Sequence, residues 1–534
     1  MLSVRLLAFV LLFGFSVNED ATVPDSATNT PQVITESSEL ITSTPVTEVT
    51  LAVTDADSVP IIDHTDADNG LEEPWLLPVI CTVCNCTDNA VDCKNRDLYS
   101  PFHNDDWIGI QKLGLQDISN VDLSGNHFLS LPQLPALPIK RLNLSQCEIE
   151  MLNDGAFSKL KYLTILDLSR NKMSNSLVIG KRVFMGVLTN GTRPSPFMYL
   201  EHLSLAYNEL HSLSQGVFTY MPYLTYLDLS GNSLVTIDQV TMGSLGDVMR
   251  LKELRISECD LETLPTGIFR RLRRLQRLDL SGNRFTEVPK VLSEAINLQY
   301  LNFNGNPIQA ISERNAISDL RKLQELHLSR LSKLRSIHRG ALEGLESLIK
   351  LHMNYNPRLT DLDPKFMEWE DDLGVEKWPL LEELYLNNNN ISGIDSRFLE
   401  RWDYLKHVDF SANPYACNCN NQWMVKVLVP LIMRMANAST AKMICRKPYD
   451  YRGLSFAHLY EFRKTLPCPE SEGVTEASSP ETAVLYGVLV GILIAFPLVM
   501  VVVLLWKKGF FAKCRKKMTS KHDYDDDDEE TDAF

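Results

Sequence analysis

Positive charge is missing from one long stretch of this 534-residue chain: residues 19 to 80 contain no lysine or arginine, thirteen acids, and much serine, threonine and proline. Such a composition cannot bury enough apolar surface to offset the entropy of ordering, so 17–80 is expected to be a disordered acidic stalk. Recognisable catalytic patterns are missing too. The sequence has no phosphate-binding glycine loop, no metal-ligand quartet and no pair of catalytic carboxylates, and its Ser, His and Asp residues fall in no convergent motif. Catalysis is therefore not expected, and no cofactor or metal is assigned. The formal charge of -16 comes mostly from the acidic stretch and the tail, so charge gives no reason to expect nucleic acid as a partner.

What the chain does have is a repeat. The pattern Leu-x-x-Leu-x-Leu-x-x-Asn recurs twelve times, from Ile118-x-x-Val121-x-Leu123-x-x-Asn126 to Leu405-x-x-Val408-x-Phe410-x-x-Asn413. Seven of the eleven intervals between ninth positions are 23 to 25 residues. That period and pattern resemble the leucine-rich repeat. The resemblance implies an α/β solenoid, a horseshoe of about twelve repeats over 113–413 with its parallel strands on the concave side. The Leu-x-Leu core alternates, so one set of side chains points in and the next out. The ninth-position Asn suits a slot where backbone groups need partners as the chain leaves the strand. Cys147 and Cys259 occupy that slot and read as buried thiols. Leu331 cannot make those bonds, which predicts a distorted ladder there. Phe157, Phe218 and Phe269, each following Gly-x, read as a second apolar row. The two long intervals hold insertions around 174–196 and 367–378, read as edge loops.

Cys81, Cys84, Cys86 and Cys93 precede the repeats; Cys417, Cys419, Cys445 and Cys468 follow them. An open solenoid must cover its two core ends, and both clusters resemble the cysteine-rich flanks of extracellular leucine-rich repeat proteins, at 81–112 and 414–469. Spacing leaves the connectivity open; the resemblance implies Cys81–Cys86, Cys84–Cys93, Cys417–Cys445 and Cys419–Cys468. Disulfides need an oxidising compartment. Met1 to Ser16 reads as a signal peptide, and Asn85, Asn143, Asn190, Asn390 and Asn437 as N-glycosylation sites.

After a linker at 470–483, Val484–Trp506 runs 23 residues without a charge, enough for one transmembrane helix. Lysines and arginines follow it, which puts 507–534 in the cytosol as a short tail and gives a type I plasma-membrane protein with its N-terminus extracellular. Gly487, Gly491 and Ala495 recur every four residues, a spacing that lets two membrane helices pair. Cys514, in the basic stretch, is a palmitoylation candidate.

The outward strand positions can be read from the register alone. Tyrosine and arginine dominate interface energetics, and they concentrate in the middle and C-terminal repeats. The expected ligand-binding residues are Tyr226, Arg255, Arg277, Tyr300, His327, His352 and Tyr385. The adjacent His327 and His352 would suit a metal ion or a pH response near 6.5, although exposed histidines without either role are commoner. The expected function is protein recognition at the cell surface, as an adhesion or cell–cell recognition receptor with an extracellular or cell-surface protein ligand, homophilic pairing included. The alternative is a co-receptor or ligand trap that modulates another receptor by lateral association in the membrane.

Overall fold

The computed structural model describes residues 79–468, apart from 104, 108, 110–117, 175–178, 190–192, 314, 372, 400–403 and 436–439, together with residues 480–508. All belong to the second of two units, Pro74–Phe534. The expected signal peptide, the stalk up to residue 78, Asn190, Asn437 and Cys514 lie outside the described residues.

Fourteen strands form one sheet. The hairpin of β1 (Asn85–Thr87) and β2 (Ala90–Asp92) is antiparallel, and β2 pairs in parallel with β3 (Asn120–Asp122). Eleven more three-residue strands add in parallel: β4 (Arg141–Asn143), β5 (Ile165–Asp167), β6 (His202–Ser204), β7 (Tyr226–Asp228), β8 (Glu253–Arg255), β9 (Arg277–Asp279), β10 (Tyr300–Asn302), β11 (Glu325–His327), β12 (Lys350–His352), β13 (Glu383–Tyr385) and β14 (His407–Asp409). From β3 to β14 these twelve strands enclose eleven turns of a solenoid. Each central residue is buried and each flanking one faces outward, as period-two alternation requires. The leucines align strand to strand without slip, Leu227 to Leu254 to Leu278. A one-residue slip would expose that whole row.

Two local devices turn the chain out of every strand. The residue before each ninth position has a positive φ, whether glycine (Gly125, Gly231, Gly282) or not (Arg170 at 57°, Tyr207 at 54°). The ninth-position asparagine then satisfies the backbone on both sides. Asn283 donates to the carbonyls of Ile256 and Leu280 at 2.8 and 2.9 Å and accepts from the N–H groups of Cys259 and Leu261. Cys147 and Cys259 take the same slot as buried thiols, donating to the carbonyls of Leu123 and Leu229. Burial pushes these thiols up to about 11 and about 12, so both stay protonated.

Three expectations need correction. Leu331 does not distort the ladder: β10, β11 and β12 keep an unbroken register. The Leu331 side chain is buried, its own N–H donates to Asn356 Oδ1 at 2.8 Å, and Asn306 N–H, lacking an asparagine acceptor at 331, turns to the carbonyl of Phe303. Nor is the solenoid α/β. Among the described repeat residues the one α-helix is Gln239–Asp247, capped by Asp238 accepting from Thr241 N–H. Elsewhere the return path is turns, 3-10 segments and short strands such as Ala310–Ile311, Ser336–Ile337 and Asp361–Leu362. A repeat of this length leaves too few residues for a full helix, and the array is a β-solenoid. Finally, the insertion at 174–196 is partly core. Ile179, Val183 and Phe184 are buried, and Phe184 stacks on Phe157 with centroids 5.8 Å apart; the hairpin of Leu188–Thr189 with Arg193–Pro194 is added to the regular path. The other insertion contains a second hairpin, Trp369–Glu370 with Glu376–Lys377.

Both ends are closed by disulfides: Cys81–Cys86 and Cys84–Cys93 at one, Cys417–Cys445 and Cys419–Cys468 at the other. A helix over Val79–Val83 puts Ile80 into the core, so the N-terminal cap begins slightly before Cys81. At the far end Trp423 Nε1 donates to the carbonyl of Ile394 and the buried Tyr415 hydroxyl to that of Phe410.

The expected membrane span falls inside a 28-residue helix, Pro480–Lys507, with Pro497 in its interior. Side chains of this helix are described only at 489–490 and 492–508. Among the described residues no helix is long and apolar enough to cross a membrane.

Candidate functional site

The outward face of the sheet falls into two chemical classes. At the fifth position of most repeats an Asp or Asn is occupied locally. Asp122, Asn143, Asp167, Asp228, Asp279, Asn302 and Asp409 each accept, through Oδ1, the N–H two residues further on, at 2.9 to 3.0 Å. These Asx turns help to steer the chain out of the strand. The structure thus commits these side chains to the backbone rather than to the open face.

Where the fifth position is not Asp or Asn, the side chain is released to the open face, and Arg255, His327, His352 and Tyr385 all occupy such positions. The turn is held another way in two of these repeats: Ser257 N–H donates to Ser230 Oγ, and Ser329 N–H to Asn304 Oδ1 at 2.7 Å. That departure from Asx was present in the sequence and marks the site better than residue type alone.

The structure brings the seven expected residues into one continuous column. The Arg255 guanidinium lies 5.5 Å from the centre of the Tyr226 ring, and Arg277 lies 3.9 Å over Tyr300. Glu253, which sequence reading did not select, ties the two arginines together at 2.8 and 3.5 Å. From Tyr300 the rings run on: Tyr300 to His327 at 5.1 Å, His327 to His352 at 4.3 Å and 3° from parallel, His352 to Tyr385 at 4.7 Å. His202 stacks on Tyr226 at the other end, 5.2 Å away. The Glu325 carboxylate lies 2.7 Å from His327 Nε2 and accepts from it in the tautomer that carries the proton there, and Glu383 holds Lys350 at 2.8 Å and the Tyr385 hydroxyl at 3.3 Å.

These groups are partly desolvated. Burial, then the neighbouring His327, lowers His352 to about 4, so it stays neutral through the range near 6.5 where a free histidine titrates. Burial also raises the Tyr226 and Tyr300 hydroxyls. Burial works to raise Glu383, but the Lys350 hydrogen bond and charge outweigh it and the carboxyl sits below its usual range. Glu325, His327 and His352 each offer a donor atom within 4.8 Å of the others. The two imidazoles, however, lie almost parallel, so their lone pairs run side by side, a geometry that suits stacking better than shared coordination.

Other expected positions are scattered. Asn85 and Asn390 are exposed, and Asn143 is half-buried on the sheet face. Gly487, Gly491 and Ala495 fall in the helix Pro480–Lys507.

Comparison with known proteins agrees with this architecture. Models described as leucine rich repeat match residues 199–248, 249–308 and 380–402. The chain is a leucine-rich repeat protein with a disulfide-rich N-terminal flank. It is similar to Tsukushi of Gallus gallus, 29% identical over 311 residues that cover 57% of this chain and 77% of that protein. Tsukushi of Xenopus tropicalis is 31% identical, with 41% and 58% covered. CD180 antigen of Mus musculus is 26% identical, with 67% of this chain and 47% of that one covered. The match thus takes in about half of several of these relatives. Among solved structures, the mouse RP105/MD-1 complex aligns with TM-score 0.48 and 21% identity over 68% of this chain and 60% of that one.

Proposed function

We propose that this leucine-rich repeat protein is a cell-surface recognition receptor that binds a protein ligand through the column from Tyr226 to Tyr385 and acts in adhesion or cell–cell recognition. The observation that carries the reading is the column itself: three tyrosines, two arginines and two histidines in continuous contact on a face where seven other fifth positions are Asp or Asn residues bonded to the backbone. Rigid, half-buried aromatics with arginines laid over them are the side chains that supply most interface energy. The disulfide caps favour an extracellular setting. Membrane attachment through Val484–Trp506, with the signal peptide before it and the basic stretch after it, belongs to the same proposal.

The test uses cells displaying the full chain, probed with cell-surface and secreted proteins, this chain included. Aggregation of expressing cells that is lost in Tyr226→Ala/Tyr300→Ala means homophilic adhesion. Binding of a different protein, lost in the same variant, means a heterophilic receptor. Binding that survives the double variant sinks the column as the site. Signalling that fails in Gly487→Leu/Gly491→Leu while ligand capture persists would favour the lateral co-receptor instead.

A further inference from the structure

A second surface lies on the edge of the solenoid where the chain runs into the strands. In each repeat the two residues before the leucine that precedes the strand are set apart from the core. On the repeats leading into β8, β9 and β11 they are Met249-Arg250, Arg273-Arg274 and Arg321-Lys322, all exposed. Arg270 and Arg271 add to the middle one, so Arg270-Arg271-Leu272-Arg273-Arg274 presents four exposed guanidinium groups around one buried leucine.

The neighbouring repeats are stitched together here. Asn297 Nδ2 donates to the carbonyl of Arg273 at 2.9 Å, and Lys322 Nζ donates to Asn297 Oδ1 at 2.6 Å. Arg250 is laid over the Tyr223 ring at 4.3 Å. Parallel strands stand ~4.8 Å apart, so these cations form a strip a few strands wide. Carboxylates answer only part of the charge: Glu294 meets Arg270 at 3.2 Å, Asp247 meets Arg271 at 3.8 Å and Glu346 meets Arg321 at 3.4 Å. Arg250, Arg273 and Arg274 have no ion pair among the described residues. A chain with a net charge of -16 has gathered a cationic strip, only partly compensated, on the repeats leading into β8, β9 and β11.

We propose that this edge is a docking site for a sulfated polysaccharide, with Arg250, Arg273, Arg274 and Lys322 holding its sulfates and Arg270 and Arg271 flanking them. The planar guanidinium fork matches an oxyanion with two parallel hydrogen bonds, and a row of cations on a rigid sheet edge suits a polymer that presents anions at intervals. Nucleic acid fits less well, because Arg250 covers Tyr223 and the exposed Tyr162 and Tyr199, 6.1 Å apart on the preceding repeats, lie beside the cations rather than between them, where stacked bases would need them. The edge is separate from the column on the sheet face, so both can be occupied at once.

The test is retention of the full chain, in mild detergent, on immobilised heparin under a sodium chloride gradient. Retention above about 0.15 M salt is expected, with little or none on desulfated heparin. In Arg250→Ala/Arg273→Ala/Arg274→Ala/Lys322→Ala the affinity should fall at least tenfold, and the slope of log affinity against log salt should flatten by roughly one unit per lost contact. The variant Arg273→Lys/Arg274→Lys, which keeps the charge but loses the fork, should bind more weakly than the native chain and more tightly than the alanine variant. No retention of the native chain, equal retention of a quadruple variant with an unchanged melting temperature, or equal binding to desulfated heparin or to single-stranded DNA would each overturn the proposal. If the quadruple variant does not fold, Arg273→Glu alone at the exposed edge gives the same reading.

Discussion

The two ends of the sheet face are built on one backbone and carry different chemistry. From β3 to β5 the fifth positions are Asp122, Asn143 and Asp167, all accepting their own backbone N–H groups. From β11 to β13 they are His327, His352 and Tyr385, stacked ring on ring across three repeats. Leucines fix the frame identically in both halves. The outward residues divide between making turns and making a surface, and a repeat seldom does both with one side chain. In a solenoid, then, a binding site can be sought where the turn-making residue has been given up and its task has passed to a neighbour, as Asn304 serves Ser329.

The largest effect should come from the frame common to both halves. Asn283→Ala strands the carbonyl of Ile256 and the N–H groups of Cys259 and Leu261 in a buried slot, while the carbonyl of Leu280 keeps Asn306 Nδ2. A loss of about 3 kcal/mol or more is expected in denaturant unfolding. Leu331→Asn, at the slot that already lacks an asparagine, should change stability far less; a comparable loss would mean that the slot does not work by those bonds.

Next comes binding. Tyr300→Ala removes the ring joining Arg277 to His327 and should weaken ligand capture by about tenfold or more, on the order of 2 kcal/mol. Asp167→Ala in the N-terminal half should leave capture unchanged. Equal losses from the two would erase the contrast between the halves.

The pH response separates them further. His352 sits at about 4 in the folded protein against about 6.5 for a free histidine. Between those values the unfolded chain takes up a proton that the folded chain refuses, so stability falls as pH drops from about 6.5 to 4. Solvent screening at this half-buried site holds the effect to on the order of 1 kcal/mol. In His352→Asn the melting temperature should vary less over that window, and an unchanged slope would assign the loss to other groups.

The smallest effect is expected at a single Asx turn. Asp122→Ala loses one hydrogen bond, the one its carboxylate accepts from Ser124 N–H, worth about 0.5 to 1.5 kcal/mol, with capture unaffected. Tyr385→Ala should do the reverse, costing capture more than melting temperature.

Much of the site's outline was legible because register in this fold is local. Once Leu227, Leu254 and Leu278 face inward, Tyr226, Arg255 and Arg277 must face outward, and the repeat aligns them across strands. What held them together was not legible. Glu253 reaching Arg277 as well as Arg255, and the near-parallel His327 and His352 rings, depend on rotamers chosen against neighbours 24 and 25 residues away in sequence. Phe184 was missed because the insertion hid its place in the phenylalanine row. Leu331 misled because an asparagine's absence was read as a gap, when the next repeat's Asn356 still served its N–H group.

The sequence by itself determined the repeat, the facing of every strand residue, the cysteine clusters and the acidic, apolar and basic segments at the ends, since each follows from spacing or composition along the chain. Tertiary structure alone decided that the solenoid is β rather than α/β, that fifth-position Asp and Asn residues serve the backbone, and that the released side chains join into one column. Those outcomes rest on contacts between successive turns, where each side chain's partner lies a full repeat away and is chosen by packing, not by sequence neighbours.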